Sequence, residues 1–189
     1  MRSKGAIGIV FLLILVGLGG CYGCAANNTL VEAEEIVLNA WADVENQYQR
    51  RSDLVPLLVQ SVEAAADLER DLVVAVSRSL QATRNLAGGD SSRPENLTAF
   101  MRAQDQFASD LSQLTLAAGA DPSLQSVEAY RDLLVQLEGT ENRIAVARRK
   151  YNQSVSEYNR LVRTFPRSFF AEMLGFEPKP AFTSHRTSV

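Results

Sequence analysis

Acidic and basic side chains interrupt two amphipathic segments of the sequence. Side chains of these types can take part in acid–base catalysis or form ion pairs. Glu141 and Arg148 lie one heptad apart on a C-terminal apolar stripe, while Glu45, Asn46 and Arg50 lie on an N-terminal segment. Two carboxylates can serve as a general acid and a general base when their surroundings drive their pKa values apart. The same groups can instead pair between two helices and fix the register of their packing.

We expect the pairing, because a close-packed helical core offers no pocket that would separate two carboxyl pKa values. A polar cleft for a ligand between the first and fourth helices is the alternative. The sequence contains neither a nucleophile elbow nor a phosphate-binding loop, and its one histidine, His185, lies in a polar tail. It therefore predicts a protein that is not an enzyme, with no cofactor, no metal and no identified small-molecule substrate.

Charge and cysteine content exclude two further classes of protein. The net charge is −3, without the clustered excess of Lys and Arg that nucleic acid would require, so no nucleic-acid partner is expected. The two cysteines, Cys21 and Cys24, both precede the body of the chain. The body therefore holds neither a disulfide nor a thiolate metal site.

The N-terminal segment has the pattern of a membrane-targeting signal. Arg2 and Lys4 precede an uncharged apolar stretch, the next charges are acidic, and no basic residue follows before Arg50. By the positive-inside rule the N-terminus is cytoplasmic and the body lies outside the cytoplasm. We therefore expect residues 1–26 to be a signal peptide with a lipobox, or a membrane anchor.

The apolar stretch ends in Leu18-Gly19-Gly20-Cys21, which resembles the bacterial lipobox. In a lipobox the cysteine receives a lipid and becomes the first residue after cleavage, so we expect lipid attachment at Cys21 and a location at the bacterial cell membrane. An uncleaved transmembrane helix is the alternative, although the strongly apolar part is shorter than the usual ~20 residues. A redox pair of Cys21 and Cys24 is disfavoured, because no redox domain surrounds it.

Beyond the anchor, apolar residues recur at the three- and four-residue spacing of amphipathic helices. A first helix is expected from about Leu30, a second from Ser52 or Asp53 with Pro56 in its first turn, and a fourth over about residues 123–164. The third has the most regular stripe, formed by Leu97, Phe100, Gln104, Phe107, Leu111, Leu114 and Ala118, and it is expected to end at residues 119–122. A glycine- and proline-containing loop over residues 88–94 separates the second helix from the third.

These helices predict an all-α fold, an antiparallel up-and-down four-helix bundle preceded by an N-terminal membrane anchor. The bundle would occupy residues 27–182, and residues 183–189 would form a polar tail. The junction between helices one and two contains no glycine. One long helix bent at Pro56 therefore remains the alternative there.

The end of the fourth helix should return to the level of the anchor. Residues 160–176 combine three arginines with four phenylalanines, as a helix lying in a membrane interface would, so the membrane-contact candidates are Arg163, Arg167, Phe169 and Phe170. We expect instead that the aromatic side chains close the core and that the arginines pair with acidic residues near the anchor, namely Glu32, Glu34 and Glu35.

Residues 40–59 and 137–152 are similar to the two signature blocks of the LemA family. The similarity extends over residues 28–182 and includes Phe165-Pro166 and Gly175-Phe176-Glu177-Pro178-Lys179-Pro180. It implies a helical bundle on a bacterial membrane anchor, no agreed biochemical activity, and membrane proteases or other envelope proteins as partners. The chain departs from the commoner family form in having two cysteines near the anchor, which leaves Cys24 as the alternative lipidated residue.

We therefore expect a membrane-tethered extracytoplasmic helical protein of the cell envelope that acts as a scaffold or an interaction protein. Its partners would be the membrane and an envelope or membrane protein. A ligand-binding module that uses the polar seam between helices one and four is the alternative.

Overall fold

The computed structural model describes residues 2–65, 70–87 and 94–182, and within these ranges it contains helices and no strand. The helices are α1 (Arg2–Ala65), α2 (Arg70–Leu86), α3 (Pro94–Gly119), α4 (Pro122–Gln125), α5 (Glu128–Arg163) and α6 (Arg167–Leu174). The predicted all-α class is confirmed. The predicted polar tail and, apart from Pro94, the predicted loop at 88–94 lie outside the described residues.

The chain divides into two units. Unit 1 comprises residues 1–39 and 153–179, and unit 2 comprises residues 40–152 and 180–189. α1 and α5 each contribute to both units, whereas α2, α3 and α4 belong to unit 2 and α6 belongs to unit 1.

Unit 2 is built on an apolar core to which five helices contribute. Each long helix presents one stripe to it, as amphipathic helices must when they bury their apolar faces together. The core residues are Val55, Leu58 and Val62 of α1, Val76 and Leu80 of α2, Phe107, Leu111, Leu114 and Ala118 of α3, Leu124 of α4, and Tyr130, Leu133 and Leu137 of α5.

The predicted stripe of α3 is confirmed, since all seven of its residues are buried, from Leu97 to Ala118. α3 also ends where the sequence predicts. The chain then forms the short α4, whose first turn is capped by Asp121: its Oδ1 accepts a hydrogen bond from the Ser123 N–H at 2.8 Å. The predicted fourth helix is therefore divided into α4 and α5.

The prediction of a new helix at Ser52 or Asp53 is wrong, because α1 continues through Pro56 to Ala65. A proline inside a helix has no N–H to donate to the carbonyl four residues earlier. That carbonyl belongs to the buried Ser52, and it accepts a hydrogen bond from Arg84 Nη2 of α2 at 3.2 Å. The side chain of Arg84 thus replaces the donor that Pro56 lacks, and the helix continues.

Unit 1 contains the N-terminal part of α1, the end of α5, α6 and the segment that follows α6. Gly175 ends α6 with φ 81°, a left-handed conformation that favours glycine, and its N–H donates to the Ala171 and Glu172 carbonyls. The following segment is held by an ion pair between Lys179 Nζ and Glu34 Oε1 at 2.8 Å. Phe165 is one of the aromatic residues expected to close the core, but it lies beyond the end of α5 at Arg163 and is 82% exposed.

Within the part of the chain that is described, we find no helix that is both long and apolar enough to span a membrane. Most side chains of the predicted apolar segment, residues 7–18, lie outside the described residues.

Candidate functional site

Arg51 is the centre of the polar seam in unit 2. Its side chain is only 2% exposed, and among the described residues no other charged residue is buried. Arg51 Nη1 donates to Glu141 Oε1 at 2.6 Å, and Arg51 Nη2 donates to the Gln104 side-chain oxygen. One guanidinium therefore links α1, α3 and α5 by charge-assisted hydrogen bonds.

Two aromatic rings contact the same guanidinium. Its carbon lies 5.3 Å from the centroid of Tyr48 and 4.9 Å from that of Phe107, distances typical of cation–π contacts. Burial raises the pKa of Tyr48, an effect that the positive charges of Arg148 and Arg51 oppose. A guanidinium offers hydrogen-bond donors and no acceptor, so Arg51 can hold an anion or fix a geometry.

Arg50, the predicted seam residue, is exposed, and Arg51 takes its place. The reason is the continuity of α1, along which Val44, Arg51 and Leu58 follow one another at heptad spacing and are all buried. The buried row that runs from Leu30 to Val44 at heptad spacing already indicates Arg51 in the sequence.

The other predicted seam residues lie at two further places in unit 2. Glu45, half-buried, and Asn46, exposed, line a cleft of about 280 Å³ whose wall also includes Gln104 and Arg84. Arg148 is half-buried, and its guanidinium carbon lies 4.7 Å from the centroid of the Phe182 ring. The structure therefore brings Glu141 together with Arg51 but does not gather the five predicted residues into one site.

A clamp that the sequence analysis missed holds the C-terminal segment in unit 2. Asn152 Nδ2 donates to the Phe182 carbonyl at 2.9 Å, and Asn152 Oδ1 accepts from the Phe182 N–H at 2.8 Å. The Tyr151 hydroxyl donates to the Pro180 carbonyl at 2.9 Å. The Phe182 ring is buried and stacks on Trp41 with a centroid distance of 5.8 Å.

The same device recurs in unit 1. Asn159 Nδ2 donates to the Lys179 carbonyl at 2.8 Å, and Asn159 Oδ1 accepts from the Lys179 N–H at 2.8 Å. The Tyr158 hydroxyl donates to the Glu177 carbonyl at 3.1 Å. A Tyr-Asn dipeptide repeated one heptad later was therefore the sequence signal for the clamp. Both asparagines bind main-chain groups of the C-terminal segment. The clamp therefore depends on the extended backbone of that segment more than on its side chains.

The candidates near the predicted anchor belong to unit 1. Cys21 and Cys24 are exposed free thiols. Of the four membrane-contact candidates, Phe169 and Arg163 are exposed, whereas Phe170 and Arg167 are half-buried. The predicted pairing of the arginines with acidic residues is not seen within the described residues. Glu34 pairs with Lys179 instead.

The described residues contain no group of three or more His, Cys, Asp and Glu side chains that could hold a metal ion. His185 lies outside them.

A sequence model of the LemA family matches residues 40–188. The chain belongs to the LemA family. The matched range of this LemA-family chain includes Arg51, Glu141 and both Tyr-Asn pairs.

Relatives with assigned names are similar over a shorter range. Magnetosome proteins MamQ 2 and MamQ 1 of Paramagnetospirillum magneticum are each 32% identical to this chain over 79 residues, which is 42% of this chain and 29% of the relative. Magnetosome protein MamQ of Magnetospirillum gryphiswaldense is 29% identical over 79 residues, with the same coverage. The similarity thus spans less than a third of each MamQ protein.

Proposed function

We propose that this protein is a membrane-tethered, extracytoplasmic interaction or scaffold protein of the cell envelope. Its body would be an antiparallel up-and-down four-helix bundle that follows an N-terminal membrane anchor. The observation that carries the proposal is the hydrogen bonding of Arg51 to Glu141 and Gln104, because the charged groups of the seam serve to align helices. The magnetosome proteins MamQ are named for a cellular structure and not for a reaction, which accords with a role in assembly.

Exposed apolar side chains on the long helices of unit 2 are the candidate contacts for a partner protein. Leu116 of α3 is 73% exposed and Val135 of α5 is 69% exposed. Both side chains are large, apolar and exposed to water, so they are available to a partner protein. A partner protein in the envelope that covers these residues would remove their apolar surface from water, and this burial would stabilise the complex.

Detergent extraction of the full chain followed by affinity purification tests the interaction function. We expect a stoichiometric envelope protein to co-purify with the wild type and to be lost from the double variant Leu116→Asp, Val135→Asp. The double variant Gln113→Asp, Gln136→Asp is the matched control, since it adds the same two charges to exposed sites of α3 and α5 without removing an apolar side chain. No partner above background, or equal recovery with the double variant, would contradict this proposal.

The anchor is proposed to be a lipobox that ends at Cys21, with an uncleaved transmembrane helix as the alternative. The exposure of the Cys21 thiol supports access by a modifying enzyme. Mass spectrometry of the mature protein should find a lipid-modified Cys21 as the first residue, lost in Cys21→Ser but not in Cys24→Ser. An intact Met1 would exclude lipoprotein maturation, and recovery of the unmodified chain in the soluble fraction would exclude the tether.

A ligand-binding module is the second candidate, and the cleft beside Glu45 favours it. Glu45 and Arg84 line this cleft together with Gln104, so it offers one carboxylate, one guanidinium and an amide. Such a set suits a small molecule that carries both charges, for example an amino acid. A rise of the melting temperature with free amino acids, abolished by Glu45→Gln, would favour this function. The absence of any shift across the twenty amino acids would remove it.

A further inference from the structure

The exposed face of α6 is apolar. Phe169 is 62% exposed and Met173 is 64% exposed, and they lie four residues apart, on the same side of the helix. Phe165, in the turn before α6, is 82% exposed. Ala171, by contrast, is fully buried. Phe165, Phe169 and Met173 are therefore large apolar side chains that remain in water on one short segment.

α6 packs against α1 beside the predicted lipidation site. The Phe170 ring lies 5.6 Å from the Tyr22 ring, centroid to centroid, and a Cβ added to Gly23 would lie 2.9 Å from Phe170 Cε1. Gly23 and Cys24 of α1 also line, with Met173 of α6, a cleft of about 430 Å³. The exposed apolar face is therefore carried by a helix that contacts the residues directly after Cys21.

Two arginines flank this face. Arg163 ends α5, and Arg167 begins α6, where the helix dipole disfavours a basic side chain. Within the described residues neither arginine makes an ion pair, and Glu172 is the one acidic residue of α6. Basic side chains that flank exposed aromatic and aliphatic residues are the pattern of a helix that lies in the headgroup region of a membrane. Tyr22 lies directly after the apolar segment. Membrane proteins are enriched in tyrosine at this position, where the membrane meets water.

We propose that Phe165, Phe169 and Met173 insert into the surface of the bilayer that holds the N-terminal anchor, with Arg163 against anionic headgroups. This inference rests on the proposed membrane tether, which it extends to a second contact. The aromatic side chains fill the space between headgroups, and Arg163 attracts the acidic lipids of the surface. α6 would then fix the orientation of unit 1 on the bilayer, which a single tether cannot do.

Photocrosslinking of the full chain tests the contact. The chain is placed in nanodiscs of phosphatidylethanolamine and phosphatidylglycerol, with p-benzoylphenylalanine in place of Phe169. Leu116 of α3, similarly exposed, is replaced in the same way as the matched control. We expect a lipid adduct in the mass spectrum from position 169 and none from position 116. No adduct at 169, or equal adducts at both positions, would overturn the contact.

Varying the lipid composition of the nanodiscs tests the role of Arg163. Arg163→Gln should lower the yield of the adduct at position 169 about fivefold in discs with phosphatidylglycerol, and it should have no effect in phosphatidylcholine alone. An equal yield with and without Arg163 in the anionic discs would contradict its role. Gel filtration of each sample separates the two proposals. A chain that stays in the disc without an adduct defeats the surface contact alone, whereas a chain that leaves the disc defeats the tether as well.

Discussion

Asn152 binds the backbone of Phe182 twice, as donor to its carbonyl at 2.9 Å and as acceptor from its N–H at 2.8 Å. An asparagine amide has the donor and the acceptor that one residue of an extended strand requires, so a single side chain satisfies both main-chain groups. The contact also positions the Phe182 ring against Trp41 and Tyr151. A polar residue of α5 thus holds the C-terminal segment where its Phe182 ring contacts Trp41 and Tyr151.

Asn152→Asp should release the C-terminal segment. The carboxylate cannot donate to the Phe182 carbonyl and repels it, so we expect a loss of about 1–3 kcal/mol in the free energy of unfolding. Urea denaturation measures the loss, and limited proteolysis should cut faster before Phe182. Asn142→Asp, which places the same charge at an exposed site of α5, should change neither. Equal effects of the two substitutions would mean that charge alone is responsible.

Arg51→Ala should destabilise unit 2 by about 2–4 kcal/mol, because it leaves a cavity and a buried Gln104 side chain without its donor. The cost stays below that of a fully buried ion pair, since the Glu141 side chain is 46% exposed and its charge can be solvated. Arg50→Ala removes the same side chain from an exposed position and should cost less than about 0.5 kcal/mol. Thermal and chemical denaturation measure both losses. Equal losses of stability in the two variants would refute the structural role of Arg51.

Pro56 and Arg84 should be energetically coupled. Arg84→Met leaves the Ser52 carbonyl without its donor, at a cost near the lower end of ~1–3 kcal/mol because this site is close to the surface. In a Pro56→Ala background the new backbone N–H can donate to Ser52, so the same Arg84→Met change should cost less. A double-mutant cycle in urea measures the difference. Additive costs would show that Arg84 does not replace the missing donor.

Gly23→Ala should displace α6, since the added Cβ would lie 2.9 Å from the Phe170 ring. Gly119→Ala, at the end of α3, meets nothing within 4 Å. It should be neutral or stabilising by up to about 1 kcal/mol, as alanine is in a helix. Hydrogen exchange over residues 167–174 should increase in the first variant only. Unchanged exchange in Gly23→Ala would argue against the packing of Phe170 on α1.

Stability should fall above pH 10. Burial raises the pKa of Tyr151 to about 12 and that of Tyr158 to about 12, the latter with help from Glu34 and Glu177. An unfolded tyrosine titrates near 10. The native state therefore binds more protons between pH 10 and 12, and the stabilisation that is complete below pH 10 is lost as the pH rises through this range.

Tyr151→Phe provides the check on this pH dependence. It should lose about 1 kcal/mol at pH 7, from the hydrogen bond to the Pro180 carbonyl, yet lose less than the wild type between pH 9 and pH 11.5. Urea midpoints across this range measure both effects. Parallel pH profiles of the variant and the wild type would mean that Tyr151 does not carry the alkaline loss.

The sequence predicted best where local pattern decides the structure. The three- and four-residue spacing of α3, from Leu97 to Ala118, identifies a face that must be buried, and all seven of its residues are. The end of α3 at Gly119 follows from glycine and proline, whose backbone preferences are local as well. Neither inference needed knowledge of another helix.

Predictions from the sequence were wrong where a residue far along the chain determines the local structure. Pro56 predicts a helix start by itself, and only the donor from Arg84 of α2 shows why α1 continues. The choice of Arg50 was a separate error, since the heptad row of Leu30 and Val44 indicates Arg51. The Tyr-Asn pairs were missed for another reason. Asn152 and Asn159 bind residues that lie 30 and 20 positions later in the chain, which no local pattern indicates.

The replacement of a backbone donor by the side chain of Arg84 constrains how this sequence can evolve. A proline that arises at position 56 before a donor exists at position 84 leaves the carbonyl of residue 52 without a hydrogen bond. A chain that already has arginine at position 84 accepts the proline with little loss of stability. Reversion of Arg84 then becomes harmful. Among family members, a proline at position 56 should therefore be accompanied by a donor side chain at position 84, and the two positions should covary.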